Sequence, residues 1–234
     1  MNLHDVMTGL ESLGNERTKK QYLSRGAKEP LFGVATGAMN PLFKKVKINQ
    51  PLAEELYATG NYDAMYFAGM IADPRVMTEA DFDRWMQGAY FPMLSDYVVA
   101  VTLAESDLAM NVANRWIKSG DELYVSAGYA CYQWLLGWRP DSYFEADKLR
   151  VILDEAVASI ESQTGHMRKV INDFIAAVGV SFMPLHDEAV AAAAGLNKYQ
   201  AENPNTCAPF AASLVIQKAK NQGRLGFKRR AVRC

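Results

Sequence analysis

The sequence predicts an all-α fold, a right-handed superhelical stack of antiparallel helix pairs. Apolar residues recur at helical spacing along nearly the whole chain, and strand-like alternation never lasts beyond about five residues. Half of the 234 residues are hydrophobic and 22% are charged, which is typical of a globular protein. A chain of this length is long enough to bury a sizeable core. These observations favour helices packed on helices.

A repeated helix end is the third observation behind the prediction. Thr59-Gly60, Ser119-Gly120 and Thr164-Gly165 each end one helix and introduce another, and their glycines lie 60 and 45 residues apart. That spacing corresponds to one or two helix pairs per step, in the range of HEAT or armadillo repeats of about 40–47 residues. The sequence therefore indicates a HEAT-like α-solenoid, whose concave face suits an extended partner.

The first two helices are marked by their ends. An apolar stripe at residues 3–10 ends at Gly14. Asn15 then opens a basic helix, 16–25, which ends at Gly26. Asparagine is a favoured N-cap and glycine a favoured residue after a helix, so both boundaries have a physical basis.

Two prolines mark the next two helices, because proline is tolerated in the first turn of a helix and disrupts its interior. Pro41, within a helical pattern at 35–46, indicates either a first turn or a kink. Pro51 begins a helix that ends at Gly60. Further helices are predicted at about 62–72, 78–88, 91–104, 106–118, 121–137, 144–162, 166–182, 184–195 and 208–222.

The positive charge is concentrated at one end of the chain. The whole chain has a net charge of −1, but residues 216–234 carry seven basic residues and no acid. The remaining residues hold 18 basic and 26 acidic side chains, for a net charge of −8. Such a basic run is typical either of a surface that meets a polyanion or of a solvated, frayed terminus. We therefore divide the chain into a single helical domain, 1–215, and a basic tail, 216–234.

Two further basic groups lie nearer the start of the chain, at residues 19–28 and 44–47. Each alone is typical of a solvated helix face. Three basic groups in one helical stack favour phosphate contacts, which give affinity without base recognition. The candidate DNA-binding residues are Lys19, Lys20, Arg25, Lys44, Lys45, Lys47, Lys218, Lys220, Arg224, Lys228, Arg229, Arg230 and Arg233.

The remaining composition argues against several classes of protein. Three widely spaced cysteines fit a reducing cytoplasm better than a disulfide framework. The three histidines have no partner at metal-ligand spacing, so no metal site is expected. We find no secretory signal and no apolar run of the ~20 residues that span a membrane. We expect a cytoplasmic monomer that has no membrane contact and needs no cofactor.

Several segments together resemble a known family. They are Gly14–Arg17, Phe32–Val34, Leu52-Ala53 with Ala58–Asn61, Met70–Pro74, Thr206-Cys207 with Pro209, and the closing Gly223–Cys234. In order and spacing the chain is similar to the DNA alkylation repair proteins, the AlkD-like HEAT-repeat DNA glycosylase superfamily. The resemblance spans nearly the whole chain. It implies a DNA duplex held in a concave groove and, in active members, excision of N3- and N7-alkylpurines without base flipping.

The resemblance also implies a catalytic aspartate, which falls on Asp96. A carboxylate near the deoxyribose can stabilise an oxocarbenium-like transition state and position the attacking water. An acid in the first turn of a helix can instead complement the helix dipole. Three cleft positions depart from the active pattern: Pro92 and Asp173 replace tryptophans, and Ser126 replaces a phosphate-binding arginine. Tyr90 and Phe91 are candidates for a substitute aromatic.

A serine and two tryptophans are further candidates for function. Ser126 has no histidine at catalytic spacing in the sequence, so a serine nucleophile is not indicated. Trp85 and Trp116 lie at helical core spacing, which favours packing over binding.

Three hypotheses follow for function. The leading one is a DNA-binding HEAT-repeat protein that binds damaged, bent or branched DNA without sequence specificity, with weak or no base excision. The second is an active alkylpurine DNA glycosylase with Asp96 as the catalytic carboxylate. The third is a protein-binding helical scaffold, which the acidic remainder of the chain favours.

Overall fold

The computed structural model describes residues 1–163, 165–202 and 211–233, and within these ranges it contains helices and no strand. Three short 3₁₀ segments, Thr36–Met39, Asp141–Tyr143 and Met183–Leu185, and one π-helical turn, Ser95–Val99, accompany the α-helices. The α-helices are α1 (Leu3–Leu13), α2 (Glu16–Leu23), α3 (Asn40–Val46), α4 (Gln50–Ala58), α5 (Tyr62–Ile71), α6 (Glu79–Gly88), α7 (Pro92–Leu94), α8 (Ala100–Ala104), α9 (Ala109–Ile117), α10 (Glu122–Trp138), α11 (Ala146–Ile160), α12 (Gly165–Ser181), α13 (His186–Glu202) and α14 (Ala212–Asn221). The all-α prediction is confirmed.

Side-chain caps explain where many helices begin. Asn15 accepts a hydrogen bond from the N–H of Thr18 at 2.9 Å and caps α2, as the sequence predicted. Pro41 and Pro51 lie in the first turns of α3 and α4, so Pro41 starts a helix and does not kink one. Such caps satisfy the N–H groups that a helix leaves unpaired at its start.

The chain forms two compact units, Met1–Val112 with Arg233, and Ala113–Val232. The boundary between them lies within α9, inside the region that the sequence assigned to one domain. The boundary predicted between residues 215 and 216 lies within α14, so the basic segment begins inside a helix.

The first unit has a core of aromatic and aliphatic side chains. The rings of Tyr57 and Trp85 stack with centroids 4.2 Å apart, and the Tyr57 hydroxyl donates to the Trp85 carbonyl at 2.7 Å. Phe67 and Phe82 of the same unit are also fully buried. Gly69 allows close packing, because a Cβ there would lie 2.7 Å from Val98 Cγ1.

The second unit is built around α10 and α12. Phe174 on α12 packs its ring against Tyr129 and Tyr132 on α10, with centroids 5.2 Å and 6.0 Å apart. A Cβ at Gly128 would lie 2.7 Å from Ile117, so α9 and α10 approach closely there. Trp116 is fully buried, and Trp85 is buried in the first unit, which confirms that both tryptophans pack in the interior.

Candidate nucleic-acid interface

Asp96, the candidate catalytic residue, lies in the π-helical turn between α7 and α8. Its side chain is buried, with 3% exposure for the residue, and its Oδ1 accepts a hydrogen bond from the Ser95 hydroxyl at 2.8 Å. The neighbouring Val98 and Val99 are buried, whereas Tyr97 is 42% exposed. π-Helical turns occur frequently at functional sites. The turn therefore places a shielded carboxylate next to an aromatic ring that reaches solvent.

The residues before Asp96 are more buried than an open aromatic cleft requires. Phe91 is 6% exposed and its ring packs on Tyr62, with centroids 5.5 Å apart. Tyr90 stacks on Phe91 at 5.1 Å, and burial raises the pKa of its hydroxyl. The backbone N–H of Lys28 donates to that hydroxyl at 3.2 Å. Pro92 occupies the first turn of α7, where it has a structural reason to be.

Asp63 supports this part of the first unit, and the sequence analysis missed it. Its carboxylate accepts hydrogen bonds from the N–H groups of Phe32, Gly33 and Val34 at 2.6, 3.0 and 2.8 Å. Burial raises the pKa of Asp63, and these N–H groups partly oppose the rise. Asp63 follows Asn61, the N-cap of α5, and nothing in the local pattern distinguishes it from a first-turn acid. The pairing fixes the loop that follows the basic helix α2.

The basic residues of the first unit differ in availability. The Lys19 ammonium pairs with Glu29 at 2.8 Å, and that interaction raises the pKa of Lys19. Lys19 thus has a local partner. The remaining candidates of this unit have exposed side chains: Lys20, Arg25, Lys44, Lys45 and Lys47.

Ser126 in the second unit is buried at 1% exposure, on α10. Its hydroxyl lies 3.1 Å from Nε2 of His166, a residue in the first turn of α12. Ser126 therefore does have a histidine partner, although sequence spacing indicated none, because α10 and α12 bring together two side chains that lie 40 positions apart in the sequence. A nucleophilic serine must be accessible to its substrate, and the burial of Ser126 prevents such access.

Asp173, the second unexpected cleft residue, forms an ion pair with Lys169 one helical turn earlier on α12. A lone carboxylate close to a phosphate backbone would repel it. A lysine at i−4 offsets part of this negative charge locally. The expected repulsion is therefore weaker than the lone acid suggested.

The basic tail divides into structural and exposed residues. The Lys228 ammonium donates to the carbonyls of Leu136 and Ser181 at 2.8 and 2.5 Å, and pairs with Asp141 at 2.9 Å. Arg233, which belongs to the first unit, pairs with Glu105 at 2.7 Å. These two cations are thus held by protein groups.

The other five basic residues of the tail are exposed: Lys218, Lys220, Arg224, Arg229 and Arg230. Lys218 and Lys220 lie in the last turn of α14, where positive charge complements the helix dipole. Hydrogen bonds from Gly226, Lys228 and Arg229 anchor this part of the tail to the second unit. Within the sequence segments that suggested a family, Thr206, Cys207, Pro209 and Cys234 lie outside the described residues, as does Thr164 of the repeated helix ends.

The described residues offer neither a cluster of metal ligands nor a single membrane-spanning helix. In residues 1–163, 165–202 and 211–233, no group of three or more histidine, cysteine, aspartate or glutamate side chains is placed to hold a metal ion. Across the same ranges no single helix has the length and apolarity of a membrane span. The pair Gly165–Ser181 and Met183–Lys198 meets both limits together but is bent by 110°.

Comparisons with known proteins agree with one another. A family model described as DNA alkylation repair enzyme matches residues 6–214. Uncharacterised proteins of Listeria innocua and Listeria monocytogenes are each 26% identical over 222 residues, covering 92% of this chain and 96% of theirs. A solved structure is 54% identical over the full length of both chains, with a TM-score of 0.91. It is described as "a new family of proteins related to the HEAT-like repeat DNA glycosylases with affinity for branched DNA structures". The predicted HEAT-like fold is confirmed by this likeness.

Proposed function

The chain belongs to the DNA alkylation repair enzyme family, and we propose that it binds bent, damaged or branched DNA without sequence specificity, with weak or no base excision. The observation that carries this proposal is the full-length likeness, at 54% identity, to a protein described as having affinity for branched DNA structures. Closely similar surfaces are expected at that identity, so the ligand class is expected to be shared.

The charge of the exposed residues supports phosphate binding. Of the candidate DNA-binding residues, five on the first unit and five on the tail have exposed side chains, whereas residues 1–215 as a whole carry a net charge of −8. Lysine and arginine at such positions neutralise phosphates and release counterions, which gives affinity without reading bases.

The cleft residues support weak or absent excision. Asp96 is shielded and bonded to Ser95, and Ser126 is engaged with His166 where active relatives place an arginine. Phe91 is packed in the interior and does not offer its face to a ligand. The residues that would grip a lesion are therefore replaced or occupied.

A salt series tests the binding. Dissociation constants for a four-way junction, a forked duplex and a linear duplex of equal length should be measured at several salt concentrations. Binding should weaken steeply as salt rises, with a slope of about 0.9 for each phosphate contacted. The junction and fork should bind more tightly than the linear duplex. Binding that is absent at low salt, or that does not respond to salt, contradicts the proposal.

Base excision is the second candidate, because Asp96 is present in a π-helical turn beside the exposed Tyr97. It is tested by release of 7-methylguanine and 3-methyladenine from alkylated DNA. Excision that is present in the wild type and lost in Asp96→Asn supports it. Release equal to that of DNA alone supports the binding role.

A further inference from the structure

The end of α10 carries two tryptophans on one face. Trp134 and Trp138 are four residues apart, so they lie on the same side of the helix. The guanidinium of Arg139 lies 4.1 Å from the ring centroid of Trp138 and 4.8 Å from that of Tyr143. Aromatic rings and a planar cation thus alternate at this helix end.

The basic tail is fixed against this helix end by two hydrogen bonds. The Lys228 ammonium donates to the Leu136 carbonyl at 2.8 Å, and the backbone N–H of Arg229 donates to the Gly137 carbonyl at 2.7 Å. The Arg229 guanidinium consequently lies 5.5 Å from the centroid of Trp134. The tail therefore extends the row of rings and cations.

Phe227 directly precedes Lys228 and Arg229 in the tail. It is 55% exposed although it lies between two residues that are bonded to the protein. The Arg224 guanidinium lies 5.4 Å from its ring centroid. An exposed ring on an anchored backbone contributes little to packing within the protein. The positive charge of the nearby Arg224 makes a polar, anionic partner more favourable than an apolar one.

We propose that Trp134, Trp138, Arg139, Tyr143, Phe227 and Arg229, here called the aromatic–arginine surface, bind unpaired bases at a DNA branch point. This inference rests on the proposed function and names the DNA feature that is recognised. Bases stack on aromatic rings and guanidinium planes, and cations between the rings bind the phosphates that link them.

Unpaired bases fit this surface better than duplex does. The bases of an intact duplex are already stacked on each other and present only edges and phosphates to a protein, whereas bases at a fork or junction offer free ring faces. Residues 216–233 contain no acid, and the Asp141 carboxylate is paired with Lys228 at 2.9 Å. No acid within the tail therefore offsets the positive charge of Arg224, Arg229 and Arg230, which favours a phosphate backbone as the ligand.

The test compares Phe227→Ala with the wild type on three ligands: a linear duplex, a fork with single-stranded arms, and an oligothymidylate. Phe227 is exposed, so the variant should retain the wild-type melting temperature. Leu214→Ala is the matched control, because Leu214 is 71% exposed on α14 in the same unit. Phe227→Trp keeps a ring at the position and serves as the rescue variant.

We expect Phe227→Ala to weaken fork and oligothymidylate binding about tenfold, the effect of losing one stacked base. Duplex binding should change less than about twofold, and Leu214→Ala and Phe227→Trp should resemble the wild type. Tryptophan fluorescence should be quenched by oligothymidylate, and less so in Trp134→Phe.

Three outcomes overturn the inference while leaving the proposed function intact. These are an unchanged fork affinity in Phe227→Ala, an equal loss on fork and duplex, and competition by polyglutamate as strong as that by oligothymidylate. The last would place an acidic protein segment on the surface. A wild type that binds none of the three DNAs at low salt is a different result, because it contradicts the proposed function itself.

Discussion

Replacing Arg233 by alanine should destabilise the protein far more than the loss of any exposed cation of the tail. The guanidinium donates four hydrogen bonds: two to Glu105 Oε2, at 2.9 and 2.7 Å, and one each to the carbonyls of Gly69 and Ala72, at 2.6 and 3.1 Å. The two carbonyls belong to the end of α5, where a helix leaves acceptors without an internal partner. Arg233 therefore caps one helix and neutralises one acid.

The magnitude follows from the burial of this pair. The side chains of Arg233 and Glu105 are 17% and 19% exposed. Breaking a buried pair costs about 3–5 kcal/mol, and an exposed pair contributes less than about 1 kcal/mol. The Arg233 backbone N–H still donates to Glu105 in the variant, which softens the loss. We expect a loss of about 3 kcal/mol, or a fall in melting temperature of about 6–12 °C for a chain of this size.

Thermal and urea unfolding of three variants measure this effect. Arg230→Ala removes the same charge from an exposed position, so it should stay within about 0.5 kcal/mol of the wild type. Arg233→Lys keeps the charge but not the planar fork, and should be intermediate. A double-mutant cycle with Glu105→Gln isolates the pairwise energy. Equal stabilities of Arg233→Ala and Arg230→Ala would refute the reasoning.

Further predictions concern three sites of the first unit: the Lys44 and Lys45 pair, Asp63 and Asp96. Lys44→Ala with Lys45→Ala should lower the salt slope of DNA binding by about 2 if both contact phosphate, with no change in melting temperature; an unchanged slope removes them from the interface. Asp63→Ala should cost about 3 kcal/mol in urea unfolding, since three backbone N–H groups lose their acceptor; a loss below 1 kcal/mol, on the order of a surface substitution, contradicts this. Burial raises the pKa of Asp63 in the folded protein. The contribution of Asp63 to stability is therefore greatest below the pKa that its carboxyl group has in the unfolded chain, and it falls as pH rises through the pKa of that group in the folded protein. That fall should be absent from stability–pH profiles of Asp63→Asn. Asp96→Asn should leave junction affinity within about twofold of the wild type, measured as a dissociation constant, because its side chain is shielded and a carboxylate makes no attractive contact with phosphate; a tenfold loss would place Asp96 in the DNA contact.

The helices could be predicted because their signals are local. Asn15, Pro41 and Pro51 mark helix starts within one turn, and each starts a helix in the structure. The apolar period likewise indicated that Trp85 and Trp116 are buried. The division into two units was not predicted, since its boundary lies within α9, where the helical pattern continues without a break.

The site could be predicted only where one position determines the chemistry. Asp96 was found through a resemblance, but its π-helical turn depends on backbone geometry that has no signature in residue types. The pairing of Ser126 with His166 spans 40 positions, and Asp63 bonds to a loop about 30 residues away. Such contacts arise from tertiary packing, which periodicity does not encode.

The tail shows why net charge overstates the charge that DNA meets. Seven basic residues lie in 216–234, but Lys228 is bonded to protein acceptors in the second unit and Arg233 in the first. The exposed cations are thus held on an anchored backbone. DNA binding through them costs less conformational entropy than it would if a free tail had to become ordered.

This arrangement predicts that two tail variants will separate stability from affinity. Deleting residues 228–234 should lower both stability and affinity. It removes the anchoring contacts that Lys228 and Arg233 make with the protein, and it also removes the exposed cations Arg229 and Arg230. Replacing only Arg229 and Arg230 by glutamine should lower junction affinity and reduce the salt slope by up to about 2, while the melting temperature stays unchanged. If the tail were free and unanchored, the deletion would lower affinity and leave stability unchanged. Melting temperatures and salt-dependent dissociation constants of the two variants, measured side by side, decide between these accounts.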